Sequence, residues 1–207
     1  MNIKLEKAVL SMIKIQGKIP RDVVVACSGG VDSMAVVDFL SRNHNVRPLF
    51  VNHGTQTSNE AEKFLTDVFG EKLLKFRISE ELPKNTSQEE HWRNERYKIF
   101  YSVQAPVVTC HHLDDCTETW IWSSLNGQSK IIPYRNQNVI RPFRLNRKYE
   151  FVDWCERKGI EWIEDASNND TKYMRNFIRH ELMPKALVVN PGLYKVVAKV
   201  VKEASVA

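Results

Sequence analysis

The chain has 207 residues, 43% of them hydrophobic and 27% charged, with a formal net charge of +5 at pH 7. That is enough for one sizeable α/β domain plus a small appendage, and no apolar run approaches the ~18 residues of a membrane-spanning helix. The four cysteines, Cys27, Cys110, Cys116 and Cys155, form no C-x-x-C pair, which argues against a disulfide framework or a zinc site and for a reduced, cytoplasmic setting.

The opening MNIKLEKAVLSMIKIQGK reads as a basic amphipathic helix over about residues 2–16, with Glu6 and the lysines interrupting any signal-like apolar stretch. Val23-Val24-Val25-Ala26-Cys27 follows as a short β-branched run without charge, the pattern of a strand buried on both faces of a parallel sheet. Apolar residues at Val31, Met34, Ala35, Val36, Val37 and Leu40 predict a helix from Asp32 to Asn43. Between the two lies Ser28-Gly29-Gly30-Val31-Asp32-Ser33. Its glycines permit a tight bend and close approach to backbone amides, and the helix start adds unpaired N–H groups and a positive dipole end. This is a cradle for an anion, phosphate above all; a ligand-free turn is the alternative. Neither G-x-x-x-x-G-K-[ST] nor G-x-G-x-x-G occurs, so a γ-phosphate lysine and a dinucleotide fingerprint are both absent. Asp32 puts a carboxylate in the cradle. It repels phosphate unless it holds a cation, so Mg²⁺ is implied.

Further strands are expected at Val46–Val51, Leu73–Ile78 and Pro106–Cys110, and helices at Ser58–Phe69, Gln88–Val103 and from Asp114 onward. The alternation predicts an α/β fold with a doubly wound parallel sheet. Ligands bind such sheets at the carboxyl ends of strands, where the Ser28–Ser33 loop, Asn52-His53 and His111-His112-Leu113-Asp114-Asp115 converge. With His111 on the helix, His111, Asp115 and Glu118 share one face at i, i+4 and i+7. Leu113, Cys116 and Trp120 lie on another that suits packing against the sheet. A transition-metal site is a second reading of the His/Asp spacing, less suited to the carboxylates and phosphate loop than Mg²⁺. Strand-end capping is a second reading of the histidines.

Beyond Asn126 the pattern loosens into a loop reaching Phe143, with helices around Arg147–Lys158, Lys172–Leu182 and Leu193–Val201. A boundary near Gly127 separates a nucleotide-binding domain, 1–126, from a basic loop and helical extension, 127–207. Residues 171–207 carry seven Lys/Arg against two Asp/Glu, whereas residues 1–170 balance at 23 of each. Between Thr119 and Tyr149 there is no acidic residue; Lys130, Arg135, Arg141, Arg144, Arg147 and Lys148 are interleaved there with Tyr134 and Phe143. Such a stretch reads as a nucleic-acid surface or as a solvated basic face.

In this order, "SGGVDS", "VNHG", "EHWRNERY", "HHLDDCTET", "RPF" and "DASNNDTKYMRNFIRHELMP" make the chain, from about Val23 to Pro184, resemble the tRNA(Ile)-lysidine synthetase family of the PP-loop ATP pyrophosphatase class. The resemblance implies a sheet of the adenine nucleotide α-hydrolase-like type. It also implies a two-step reaction. ATP adenylates the ring carbonyl oxygen of the wobble cytidine in a CAU-anticodon tRNA(Ile), releasing pyrophosphate, and free lysine then displaces AMP. By the same resemblance Ser28, Gly29, Gly30, Val31, Asp32 and Ser33, with Asn52 and His53, hold ATP. Asp32 and Asp115 hold Mg²⁺, and Glu118 and His111 orient or deprotonate the lysine amine. Arg175 acts in catalysis, and Arg179 joins it on phosphate or the tRNA backbone, a surface arginine pair being the alternative. His112, Arg93, Arg96, Asn168, Asn176, Arg141 and Arg144 contact the substrates. The chain departs from the family at Cys116, usually Gln, and at the shortened "NGQSKIIPYRNQ". It also departs by stopping soon after Pro184, where longer members carry domains that help hold tRNA. The competing readings are a sulfur-transferring PP-loop tRNA enzyme, which generally uses paired cysteines, and a non-catalytic RNA-binding remnant.

Overall fold

The computed structural model describes residues 12–78, 83–84, 86–164 and 174–204. The expected helix over residues 2–16 and Asn168 therefore lie wholly or largely outside the described residues. The core is a six-stranded sheet in the order β3-β2-β1-β4-β6-β5, formed by β1 (Asp22–Ala26), β2 (Asn45–Asn52), β3 (Leu74–Arg77), β4 (Val107–Val108), β5 (Arg135–Asn136) and β6 (Val139–Ile140). All neighbours pair in parallel except β5 with β6. The valines of β1 are buried on both sides, as an interior parallel strand requires. Val23 and Val25 pack under α1 (Val31–Ser41), α2 (Gln56–Phe69) and α5 (Lys148–Lys158), while Val24 packs on the other face with Phe100 of α3 (Gln88–Ser102).

From β1 the chain steps outward through β2 to β3, then returns to place β4 on the opposite side of β1. The strand order reverses between β1 and β4, so the loops leaving their carboxyl ends open a crevice there.

Three findings differ from the sequence reading. The loop expected between Asn126 and Phe143 contains the β5–β6 hairpin, turned at Gln137 with φ of 53°. Asn138 ties it to the end of α3 by donating to the carbonyls of Phe100 and Val103. The strands are two residues each, too short for a period to register. Second, α4 (Leu113–Leu125) does not lay its apolar face on the sheet. Leu113, Cys116 and Ile121 enter a separate helical core with Ile178, Met183, Leu193, Val197 and Val201, drawn from the segment that runs from α6 (Met174–Phe177) to α7 (Met183–Val189) and from α8 (Leu193–Glu203). The stripe Leu193, Val197, Val201 on α8 provides the matching apolar face.

Third, two cations of the basic stretch lie inside the protein, while Lys130 and Arg135 are exposed. Arg141 and Arg144 are 2% and 0% exposed. Arg141 donates to the Pro133 carbonyl at 3.1 Å and the Tyr97 hydroxyl at 2.9 Å; Arg144 donates to the Ile132 carbonyl at 2.8 Å and Gln16 Oε1 at 3.0 Å. Burial engages both guanidinium groups with loop carbonyls and internal side chains, where the composition suggested contact with substrate. Phe143 is buried with them. Arg144→Ala is therefore expected to lower the unfolding free energy by about 1–3 kcal/mol, the cost of stranding a buried acceptor. Urea denaturation measures this, with RNA affinity changing only as far as folding does.

Candidate functional site

The turn after β1 is built by Gly29, whose φ of 86° only glycine adopts without strain. Its carbonyl accepts from the Ile163 N–H at 2.9 Å, and a Cβ on Gly29 would meet the Ile163 side chain at 2.9 Å. Ile163 thus holds the loop from outside; nothing in the local sequence pattern marks it. Ser33 is buried, donates to the Gly30 carbonyl at 2.9 Å and accepts from Ser28 N–H at 3.2 Å. Its hydroxyl braces the loop from within, where the sequence suggested a phosphate ligand. The Ser28 hydroxyl is exposed at the mouth. Gly30 caps α1 without a side-chain hydrogen bond, so the first amides of the helix point open toward an incoming anion.

Asp32 stands in that first turn. Its Oδ1 is buried without a hydrogen-bond partner, and its Oδ2 lies 3.7 Å from His112 Nε2, beyond hydrogen-bonding distance. An orphaned, hard carboxylate oxygen beside a phosphate cradle fits one Mg²⁺ ligand, the rest being phosphate and water oxygens. Asp115, its expected partner, does not fit in the same way: its oxygens are taken by Arg175, Arg179 and the His112 N–H. Among the described residues no group of three His, Cys, Asp or Glu side chains could hold a metal ion.

α4 begins at Leu113, two residues after the His111 that the predicted spacing needs on the helix. His112 is its N-cap, accepting from the Asp115 N–H at 3.3 Å while Asp115 accepts from the His112 N–H at 3.0 Å. His111 therefore lies in the loop, off the helical face, with Nδ1 2.9 Å from Thr109 Oγ1. Burial opposes a proton on His112, but the surrounding Asp115 and Asp32 outweigh it and raise its pKa. His111 has no such excess of acids; burial lowers it to about 3 and keeps the imidazole neutral.

Asp115 and Glu118 do share a face. Arg175 Nη2 donates to Asp115 Oδ1 at 2.8 Å, and Arg179 grips Glu118 through Nε at 2.7 Å and Nη2 at 3.0 Å. Burial works to raise the Asp115 pKa, yet His112 and Arg175 hold it well below the ordinary carboxylate range. Both arginines are raised in turn by Asp115 and Glu118, which outweigh the partial loss of water around them. The arginine pair is thus engaged across the helix interface, at the edge of the crevice. Asp114 is spent elsewhere, on Arg147 and the Lys148 N–H. Asn176 is buried beside this network.

At the β2 edge, Asn52 is fully buried; its amide donates to Asn59 and Glu62 and its Oδ1 accepts from the Gly54 N–H. Its side chain is thus engaged in shaping the loop. His53 stacks on Trp92 at 5.1 Å, with a buried, unpartnered Nδ1. Burial, helped by Arg96, lowers its pKa to about 4. Arg96 is itself lowered by burial and by neighbouring Arg93. Arg93, exposed, lies over the Tyr97 ring at 4.9 Å. These cations have no carboxylate of their own at hydrogen-bonding distance among the described residues and suit an anionic ligand.

The family model for the PP-loop domain matches residues 1–186. Curated relatives named tRNA(Ile)-lysidine synthase are similar to the chain. The Staphylococcus aureus (strain MW2) protein is 31% identical over 186 residues, covering 78% of the chain and 43% of the relative. The Haemophilus ducreyi protein is 28% identical, covering 87% and 46%, and that of Persephonella marina 29%, covering 91% and 47%. The chain spans about half the length of the curated relatives it matches.

Gly29→Ala is expected to cost about 1–2 kcal/mol for the left-handed backbone and to weaken nucleotide binding. Ile163→Ala in the same chain removes the collision but not the φ strain, so it restores only part of the stability in paired melting curves. The histidines set an acid limb. His53 and His111 hold folded pKa values of about 4 and about 3, against about 6.5 when unfolded. The unfolded chain takes up protons first, so stability is full above about pH 6.5 and is lost as pH falls toward 4. Asp115, with its depressed pKa, adds a second loss below the ordinary carboxylate range. His112 acts oppositely, its contribution fading as pH rises through its raised pKa. His53→Phe keeps the ring on Trp92 and should flatten the urea-midpoint slope between pH 6.5 and 4.

Proposed function

The chain belongs to the PP-loop family, and on that premise we propose that it uses ATP and lysine to make lysidine at the wobble cytidine of a CAU-anticodon tRNA(Ile). The observation that carries this reading is the open anion cradle at Ser28–Ser33 set across the β1–β4 crevice from the Asp115–Glu118–Arg175–Arg179 network. The name and similarity of the curated relatives support it.

A cytosine ring carbonyl oxygen is a poor leaving group. Attack of that oxygen on the ATP α-phosphorus forms an O–P bond and breaks the α–β bridge, releasing pyrophosphate. The lysine amine then bonds to the ring carbon, AMP leaves with the oxygen, and the amine sheds a proton. The cradle amides and Ser28 bind the phosphates, and Asp32 would hold Mg²⁺, which when bound neutralises the charge of the departing pyrophosphate. Arg175, nearly half exposed beyond its contact with Asp115, is placed to meet developing phosphate charge. His111, held neutral at physiological pH, would offer the lysine amine a hydrogen-bond partner, and Glu118 would help orient it. Arg93 and Arg96 take the tRNA phosphate backbone or the amino-acid carboxylate. A tRNA substrate sets the activity in the cytoplasm, and among the described residues no helix is long and apolar enough to cross a membrane.

The sulfur-transfer alternative needs a reactive thiolate. Cys27, Cys116 and Cys155 are buried, and burial pushes Cys116 and Cys155 up to about 12, opposite to the direction that makes a nucleophile.

Incubation of tRNA(Ile) with ATP and lysine is expected to yield AMP, pyrophosphate and lysidine, read by product chromatography and nucleoside mass spectrometry. Formation of ADP and phosphate would contradict the reading. Asp32→Asn should lower AMP formation by ~10²-fold or more, the scale of one lost electrostatic contact to a transition state. The fold should be retained, because Asp32 Oδ1 has no hydrogen-bond partner to lose and only the 3.7 Å contact of Oδ2 with His112 is weakened.

A further inference from the structure

Helix α4 carries two stripes. Leu113, Cys116 and Ile121 face the C-terminal core. On the opposite side Asp115, Glu118, Trp122 and Leu125 follow one another at spacings of three and four residues, which keeps them in line. The first half of this second stripe is covered: Arg175 and Arg179 lie on Asp115 and Glu118, and both acids are buried. The second half is bare among the described residues. Trp122 is 49% exposed and Leu125 73% exposed, and the Trp122 side chain makes no hydrogen bond, ring contact or cation contact there. An aromatic ring of this size with a free indole N–H, in line with buried site acids, is a surface for a flat ligand.

The surroundings say which flat ligand. The chain leaving α4 folds back onto it, with Ser123 Oγ donating to the Lys130 carbonyl at 3.0 Å, which brings exposed Lys130 alongside the helix. No acidic residue occurs between Thr119 and Tyr149. An exposed ring on a stretch that holds cations and adds no carboxylate beyond the arginine-paired Asp115 and Glu118 is the chemistry that holds an unpaired base and its phosphate. Four residues along a helix is about 6 Å, so Trp122 lies about one nucleotide's reach beyond Glu118.

We propose that Trp122 is a stacking platform for the nucleobase next to the one processed at Asp115–Glu118, with Lys130 on the adjoining phosphate. The inference rests on the RNA-modifying reading above and names the side chain that positions the strand. Its role is recognition of the flanking base, separate from the nucleotide cradle.

The test titrates the full chain with an RNA stem-loop bearing a CAU anticodon loop, following tryptophan fluorescence and affinity together. Trp122→Ala should weaken stem-loop binding by about 10- to 100-fold, the range of one lost base–aromatic stack, with ATP affinity and melting temperature unchanged. Trp122→Phe should retain most of the affinity while losing most of the quenching, which a merely structural role would not produce. Binding by Trp122→Ala equal to wild type overturns the inference and leaves the RNA reading standing. Wild-type affinity in Trp122→Leu also overturns it, because the contact is then apolar without stacking. Failure of the unaltered chain to bind the stem-loop overturns the RNA reading itself and the inference with it.

Discussion

Two arginines hold two carboxylates at the junction between the sheet domain and the C-terminal helices, and the working geometry of the crevice hangs on that ion network. Asp115 and Glu118 are buried, and charges removed from water cost several kcal/mol each unless matched by partners and hydrogen bonds. Arg175 and Arg179 supply the match through paired N–H···O contacts, which also fix the distance between α4 and the 174–182 segment. Removing one member strands the others. This makes the network less a source of net stability than a device for setting one arrangement of acids and guanidinium groups at the crevice edge.

The same helix serves both cores. One side of α4 closes the apolar cluster with α8, and the other presents the acids. Its N-cap, His112, sits between Asp32 of the anion cradle and Asp115. A shift of α4 is therefore felt at the cradle, at the arginine pair and in the C-terminal core together. The raised pKa of His112 follows from this position, because three carboxylates surround one buried ring.

The cradle is held from two sides. Ser33 ties it internally, and Ile163 presses on Gly29 from a segment more than a hundred residues away. As the proposed phosphate cradle it would work by preorganisation, with amides aimed before the ligand arrives, so the distant clamp belongs to the proposed site as much as the glycines do.

Local pattern was enough for much of this protein. The β-branched run at Val23–Val25, the small-residue turn and the helical apolar spacing after it determined a parallel strand, an anion cradle and its helix, because period and glycine placement act over a few residues. The spacing of Asp115 and Glu118 determined that they share a face. Tertiary structure alone decided the rest. Arg141 and Arg144 have the composition of an RNA surface, yet carbonyls of Pro133 and Ile132 and the side chain of Gln16 draw them inside. The start of α4 depended on a capping exchange between His112 and Asp115, which moved His111 off the helix. Asn52 was taken up by Asn59, Glu62 and Gly54. Charge and polarity state what a side chain can bond to. Which bond it makes, to a ligand or to its own backbone, is settled by the groups that folding brings within 3 Å, and no local pattern carries that information.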